Sequence, residues 1–236
     1  MVFARFLICF LLLFPLLPAW GAGGKTVLSQ APIDYNDIES VQRGAAAFAN
    51  YCQGCHSVKY MRYGRLAEDL KISGGQIEDF LIHNEAGLAD EMVSAMTKEE
   101  GKEWFWQASP PDLSLVARLR GVDWLYAYLR GFYRDYSRPS GWNNAVFENA
   151  AMPHVLSHLQ GIYERTSDGT VKQIRPGKMS VVAYDAMIAD VVGFLAYAGE
   201  PTRAQRIKTG YLVMAFLLLF LLIVYFLYRE YWKDIH

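Results

Sequence analysis

Apolar and polar positions divide this chain into two apolar runs at its ends and a long middle in which apolar residues recur at helical spacing. The first run, Phe6 to Leu17, follows Arg5 and is broken by Pro15 and Pro18, so it is short for a membrane span. Ala19-Trp20-Gly21 then puts small residues at the −3 and −1 positions of a cleavage site, and residues 1–21 are predicted to be a signal peptide cut after Gly21. The last run, Tyr211 to Tyr228, is eighteen uncharged residues long, enough for a transmembrane helix. Tyr225, Tyr228, Tyr231 and Trp232 give it an aromatic belt at the far end.

In the middle, Ile38, Val41, Ala45, Phe48 and Cys52 form one stripe of a helix that Asn36 or Asp37 can cap. Short helical pieces are predicted over 66–103, separated by Gly74-Gly75. Asp112 is expected to cap a helix beginning at Leu113. Asp123 should cap the next, with Trp124, Leu125, Tyr128, Leu129 and Phe132 on its inner face. Asp168-Gly169 between Ile162-Tyr163 and Val171 signals a hairpin. Val181, Tyr184, Ile188, Val191, Leu195 and Ala198 then stripe a helix over 180–198, closed by Gly199-Glu200-Pro201. The pattern predicts a mainly α chain with a small β-hairpin and one C-terminal transmembrane helix.

Composition adds little beyond this. At 53% hydrophobic and net charge −1, the chain carries no basic excess that would suit nucleic acid. Residues 66–103 hold ten carboxylates against three lysines, the most acidic stretch of the chain.

The chemistry sits in Cys52-Gln53-Gly54-Cys55-His56, a C-x-x-C-H motif for covalent attachment of haem c. Two thiols at this spacing form thioethers to the haem vinyl groups, and the following histidine ligates iron from the proximal side. A zinc half-site needs two more ligands, and a redox dithiol would need no His56. Cys9 lies in the N-terminal apolar run, so no pair is left for a structural disulfide. Thioether attachment takes place outside the cytoplasm or matrix, in keeping with an exported start.

For the sixth ligand, Ala151-Met152-Pro153 is the leading candidate: a soft thioether on a loop that Pro153 biases away from helix. Met61, Met92, Met96, Met179 and Met187 compete as core fillers, and His83, His154 or His158 would make the haem bis-histidine. Tyr60, Arg62, Tyr63 and Arg65 are candidates to reach haem propionates, and Trp104-Phe105-Trp106 to be core or a pocket wall. Flanking charge does not orient the span, since Arg203, Arg206 and Lys208 balance Arg229 and Lys233; an exported haem domain does.

The landmarks taken together resemble cytochrome c1, the haem c subunit of the cytochrome bc1 complex. They are Arg43-Gly44, the C-x-x-C-H motif with Ser57, Tyr60 and Tyr63, Pro110-Pro111-Asp112-Leu113-Ser114, Arg118-x-Arg120-Gly121, Arg138-Pro139-x-Gly141, Ala151-Met152-Pro153, 190–195 with Glu200-Pro201, and the single C-terminal span. The resemblance covers about residues 37–236. It implies a class I cytochrome c-like haem domain whose first and last soluble helices cross, Gly44 and Phe48 meeting the face near Val191 and Phe194. It implies one haem c on Cys52 and Cys55, His56 and Met152 as axial ligands, Arg120 on a propionate and Pro111 against the ring. No residue is catalytic in the bond-making sense, and whether the chain counts as an enzyme rests on the complex. The implied partners are cytochrome b, the Rieske iron–sulfur protein, a soluble or membrane-attached cytochrome c acceptor and the membrane. The implied layout is an exported haem domain over 22–204, an anchor over 205–228 and a cytoplasmic or matrix-side tail over 229–236, in the bacterial inner membrane or its mitochondrial equivalent. A free-standing membrane-anchored monohaem cytochrome c feeding a terminal oxidase is the alternative. The chain departs from the mitochondrial pattern in lacking an acidic insert between His56 and Pro110, and in carrying Gly121-Val122 where a double glycine is usual.

Overall fold

The computed structural model describes residues 28–106 and 108–235, so the predicted signal peptide lies outside the described residues. The first helix, α1 (Ile38–Tyr51), starts where Asp37 accepts the Ser40 amide. Its buried stripe is Val41, Gly44, Ala45, Phe48 and Ala49; Ile38, predicted to share it, is exposed at the helix's first turn. β1 (Val58–Arg62) leads into α2 (Tyr63–Leu70) and α3 (Gly74–Phe80), and pairs with the short β2 (Glu91–Met92). α4 (Lys98–Trp104) opens on a capping box between Thr97 and Glu100.

α5 (Val116–Arg120) and α6 (Val122–Arg130) follow, then β3 (Phe132–Arg134), β4 (Trp142–Asn144), α7 (Ser157–Gln160), β5 (Gly161–Arg165) and β6 (Val171–Pro176). The predicted hairpin is present as β5–β6, but it belongs to a four-stranded sheet of order β4-β3-β5-β6. The two added strands are three residues long and one junction is a single parallel pair, Arg134 with Glu164. So short a segment carries no alternation to read.

The core is built where α1 crosses α8 (Val181–Gly199). Ser180 caps α8 by accepting the Ala183 amide. Gly44 makes the crossing possible, because a Cβ on it would stand 2.0 Å from the Asp190 carbonyl oxygen. Phe48 and Phe194, both fully buried, meet one turn further with ring centroids 5.3 Å apart. Burial of such side chains contributes roughly 1.5–3 kcal/mol each. Arg43 and Ser40 close the rim of the crossing on Asp190, at 2.8 and 2.6 Å. The predicted contact of Gly44 and Phe48 with the Phe194 face is therefore observed.

Two predicted caps serve other ends. Helix α5 begins at Val116, not Leu113, and Asp112 instead accepts the Ser114 and Lys59 amides. Asp123 lies inside α6 and accepts the Ala31 amide, pinning the N-terminal strap. Each carboxylate finds an amide outside the helix it was expected to begin. Trp104 and Trp106 are exposed, not core.

α9 (Arg203–Tyr231) runs 29 residues, about 43 Å of helix. It is long and apolar enough to cross a membrane, and no residue of it is buried in the protein. α8 also passes by length and composition, but more than half of it is buried as the core helix.

Candidate functional site

Helix α1 delivers Cys52 to its own C-cap, where the Cys52 amide still donates to Phe48 O at 2.8 Å. The chain then turns tightly: the Cys55 and His56 amides both donate to Cys52 O, at 3.1 and 2.9 Å. Cys52, Cys55 and His56 are thus gathered around one turn, all partly buried. Gln53 points the other way and donates to the Tyr63 hydroxyl inside the core.

The Pro110–Ser114 stretch clamps the exit of this turn. Leu113 N donates to Ser57 O at 2.8 Å, Lys59 N to Asp112 Oδ2 at 3.0 Å and Tyr60 N to Ser114 Oγ at 3.1 Å. Within the clamp, His56 Nδ1 stands 2.8 Å from the Pro111 carbonyl oxygen. A carbonyl only accepts, so Nδ1 carries the proton and Nε2 keeps its lone pair. Burial pushes the imidazole pKa down, which holds the ring in the neutral form that binds a metal.

Met152 lies against helix α6. Tyr128, on α6, is half-buried and directs its hydroxyl to Met152 Sδ at 3.6 Å. Trp124 stacks on Tyr128 at 4.9 Å, and the Arg120 guanidinium stands over Trp124 at 5.1 Å and over Phe147 at 5.7 Å. Arg120, Trp124, Tyr128 and Met152 therefore form one continuous stack. Asn143 and Asn144 brace the loop carrying Met152: Asn144 Oδ1 accepts the Val146 and Phe147 amides, and Asn143 Oδ1 the Asn149 amide. Sequence reasoning put Tyr128 on the inner face of its helix but not on Met152, and missed both asparagines; the Asn-Asn dipeptide was the available signal.

Other candidates are engaged elsewhere. Arg62 closes on Glu91 and Ala89 O, Arg65 on Asp69, Tyr63 is buried against Gln53, and Tyr60 is exposed. Met61 and Met92 are fully buried core side chains. His154 is buried between Phe132, stacked at 4.9 Å, and Trp142, edge-on at 5.0 Å; burial lowers its pKa to about 4.

These residues fit a haem and fit its rivals poorly. Burial and the neighbouring Cys55 push the Cys52 thiol up to about 12, opposite to the low thiol pKa of a redox C-x-x-C. Among the described residues, no three His, Cys, Asp or Glu side chains gather to hold a metal ion directly. Two thiols one turn apart beside a histidine with a free Nε2 suit an iron whose equatorial ligands come from a porphyrin.

The fold and site define a c-type haem protein with a membrane anchor. Residues 28–235 match the model of the Cytochrome C1 family, and the chain belongs to that family. It is 45% identical over 234 residues to a protein of Nitrosomonas europaea named ammonia monooxygenase gamma subunit, covering 98% of both chains. It is 43% identical over 238 residues to cytochrome c1 of Allochromatium vinosum, covering 96% of this chain and 97% of that one. A cytochrome b/c1 of Bradyrhizobium diazoefficiens is 27% identical over 250 residues, 87% of this chain and 34% of that longer one. Members of the family carry one covalently bound haem c. The protein is a haem electron-transfer subunit of the bc1 complex, anchored in the membrane by a C-terminal apolar helix.

Proposed function

We propose that the protein accepts an electron from the Rieske iron–sulfur protein and passes it to a cytochrome c, soluble or membrane-attached, within a complex that also holds cytochrome b. Cys52 and Cys55 would hold the haem as thioethers, His56 Nε2 and Met152 Sδ would ligate its iron, Pro111 would pack on the haem and Arg120 would neutralise a propionate. Haem c supplies one-electron chemistry at iron; quinol chemistry belongs to the partner. The chain's own residues orient and insulate: the Pro111 carbonyl fixes the His56 ring, Tyr128 orients Met152, and no proton or bond changes hands on this subunit.

The observation that carries the reading is the 2.8 Å contact of His56 Nδ1 with the Pro111 carbonyl. It ties the C-x-x-C-H turn to the Pro-Pro-Asp-Leu-Ser stretch and leaves one nitrogen for iron. The haem domain, residues 22–204, faces the periplasm or its mitochondrial equivalent, because haem c is attached there; residues 205–228 anchor it, and 229–236 lie on the opposite side, with residues 1–21 as the export signal.

The test is purification of the complex from membranes, with subunit identification and stopped-flow reduction by the Rieske protein. Co-purification with a b-type cytochrome and reduction of a haem that survives denaturing electrophoresis are expected. Isolation alone with a terminal oxidase would instead establish the free-standing carrier. A second reading comes from the name of the Nitrosomonas relative. An electron-transfer subunit of a monooxygenase could use the same haem turn, and the co-purifying subunits decide between the two.

A further inference from the structure

We propose that the cleft between the end of β6, helix α7 and the end of β3 binds a compact soluble oxyanion carrying two or more negative charges, a phosphate ester or a polycarboxylate. The cleft has a volume of about 430 Å³, the size of a small-ligand site. Arg134, His158, Arg175 and Lys178 line it together with Ser157, and among the described residues no carboxylate does.

Six of the thirteen described arginines pair with a carboxylate, and the arginines of this cleft are among those that do not. Arg43, Arg62, Arg65, Arg130, Arg165 and Arg206 each close on a carboxylate. Among the described residues, none closes on Arg134, Arg175 or Lys178. Glu164 is the register neighbour of Arg134 in the sheet but forms no ion pair with it. Asp135, next in sequence, is taken up by Ser137 and Asn143.

Arg134 is held by aromatic rings, its guanidinium 4.4 Å over Trp142 and 5.9 Å from Tyr136. Stacking occupies the face of a guanidinium and leaves its in-plane N–H donors for a bidentate oxyanion. The opposite wall is tied main chain to main chain: Lys178 N donates to His158 O at 2.9 Å and Met179 N to Leu159 O at 3.1 Å. The charged side chains thus stand on fixed supports, and three permanent cations make this concavity locally positive in a domain that is net negative.

Position selects the source of the anion. Lys178 precedes the start of α8, and the membrane helix α9 begins past its other end. The 19 residues of α8 separate them by about 28 Å of helix. That separation favours a dissolved anion over a lipid headgroup. Trp142 meets His154, which stacks on Phe132, while His158 meets the Tyr51 ring at 5.9 Å, so the cleft lies behind the end of α1 that carries Cys52.

The test is calorimetric titration of the full-length, haem-loaded protein in nanodiscs of zwitterionic lipid, with pyrophosphate and citrate as probes at fixed ionic strength. One saturable site is expected, weakened at least tenfold in Arg175→Gln and in Lys178→Gln. Both side chains are exposed, and an unchanged haem spectrum confirms that the variants fold. Arg62→Gln, a cation remote from the cleft, should leave the titration unaltered. Heat that never saturates with either probe, or that is the same in the two cleft variants, overturns the site. If neither probe binds but anionic lipid in the discs restores a difference between wild type and the cleft variants, the occupant is a headgroup and the soluble anion is ruled out.

Discussion

The Tyr128 hydroxyl donates to the Met152 sulfur at 3.6 Å, and burial raises the Tyr128 pKa to about 12, so the phenol stays a donor across the physiological range. With Met152 as the proposed iron ligand, that bond draws electron density from the thioether and favours ferrous iron. A thioether is a weak acceptor, so the bond is worth about 0.5 kcal/mol, or roughly 20 mV for a one-electron couple. Tyr128→Phe is therefore expected to lower the midpoint potential by a few tens of millivolts at most and keep the ligand. Met152→Leu should lower it much further and open the iron to carbon monoxide. An unchanged titration in Tyr128→Phe would detach the hydroxyl from the ligand, and full resistance to carbon monoxide in Met152→Leu would remove Met152 from the iron.

Gly44 and Gly193 both face the α1–α8 crossing, yet their substitutions should differ in size. A Cβ on Gly44 would meet Asp190 O at 2.0 Å and Phe194 Cβ at 2.9 Å, so Gly44→Ala must push the helices apart. A loss of about 3 kcal/mol or more is expected, since overpacking at a close backbone contact also opens the Phe48–Phe194 contact. A Cβ on Gly193 has only Ser40 Oγ, at 3.8 Å. Gly193→Ala should be neutral or stabilise by up to about 1 kcal/mol through helix propensity. Denaturant titration of both variants is the check, and equal effects would mean that the crossing is looser than drawn here.

The crossing was legible because its signals are local and repeated: a glycine in a striped helix, a second striped helix, and aromatic partners on both. The C-x-x-C-H turn was legible as a motif, and the resemblance narrowed the sixth-ligand candidates to Met152. The misplaced caps at Asp112 and Asp123 show where local rules stop. Each acid could cap the following helix, but a tertiary amide took it, Lys59 across 53 residues and Ala31 across 92. Trp104 and Trp106 read as core or a pocket wall because aromatic clusters bury so much area; at 65% and 53% exposure they are not core. Strands β3 and β4 were too short for any period to show.

Arg120 and Arg118 part company in the fold. Arg120 caps the aromatic stack that ends on Met152, whereas Arg118 lies against Gly199 at the far end of α8, 3.4 Å from where a Cβ would stand. Arg120→Gln is expected to lower the potential and loosen the haem pocket, because an arginine that neutralises a propionate is costly to remove from a partly desolvated site. Arg118→Gln should leave the redox titration alone. The reverse result would transfer the propionate to Arg118.

The anchor helix should be dispensable for haem binding. Its first turns hold the domain through Arg203, 3.9 Å over the Tyr35 ring, and through the Arg206–Glu200 ion pair. From Tyr211 onward every side chain through Asp234 is exposed. A truncation after Gly210 keeps both contacts and should yield a soluble protein with an ordinary c-type spectrum. Loss of haem from it would show that the span supports the pocket.

The acidic stretch is best tested through the carboxylates the fold leaves unused. Of the ten over 66–103, Asp69 and Glu91 are taken by Arg65 and Arg62, Asp90 accepts the Gly87 amide, and Glu100 closes the capping box of α4. The side chains of Glu68, Glu78, Asp79, Glu85, Glu99 and Glu103 are exposed and make no hydrogen bond or ion pair among the described residues. Glu99 and Glu103 share α4, which packs on Pro110: a Cβ on Gly101 would stand 2.7 Å from its ring. Each two residues from Gly101, these acids stand on the face of α4 turned away from Pro110, the exposed side of the helix that packs on the proline clamp. A basic cytochrome c acceptor would be steered to that edge, raising its association rate. Such steering is screened as the Debye length falls from about 30 Å at 0.01 M salt to about 8 Å at 0.15 M. Second-order electron transfer should slow steeply over that range, and Glu99→Gln with Glu103→Gln should flatten the dependence. Glu100 is left in place, since the loss of its cap would cost about 1 kcal/mol of helix stability and confuse the result. A rate indifferent to salt and to the double substitution would make the stretch ordinary solvated surface.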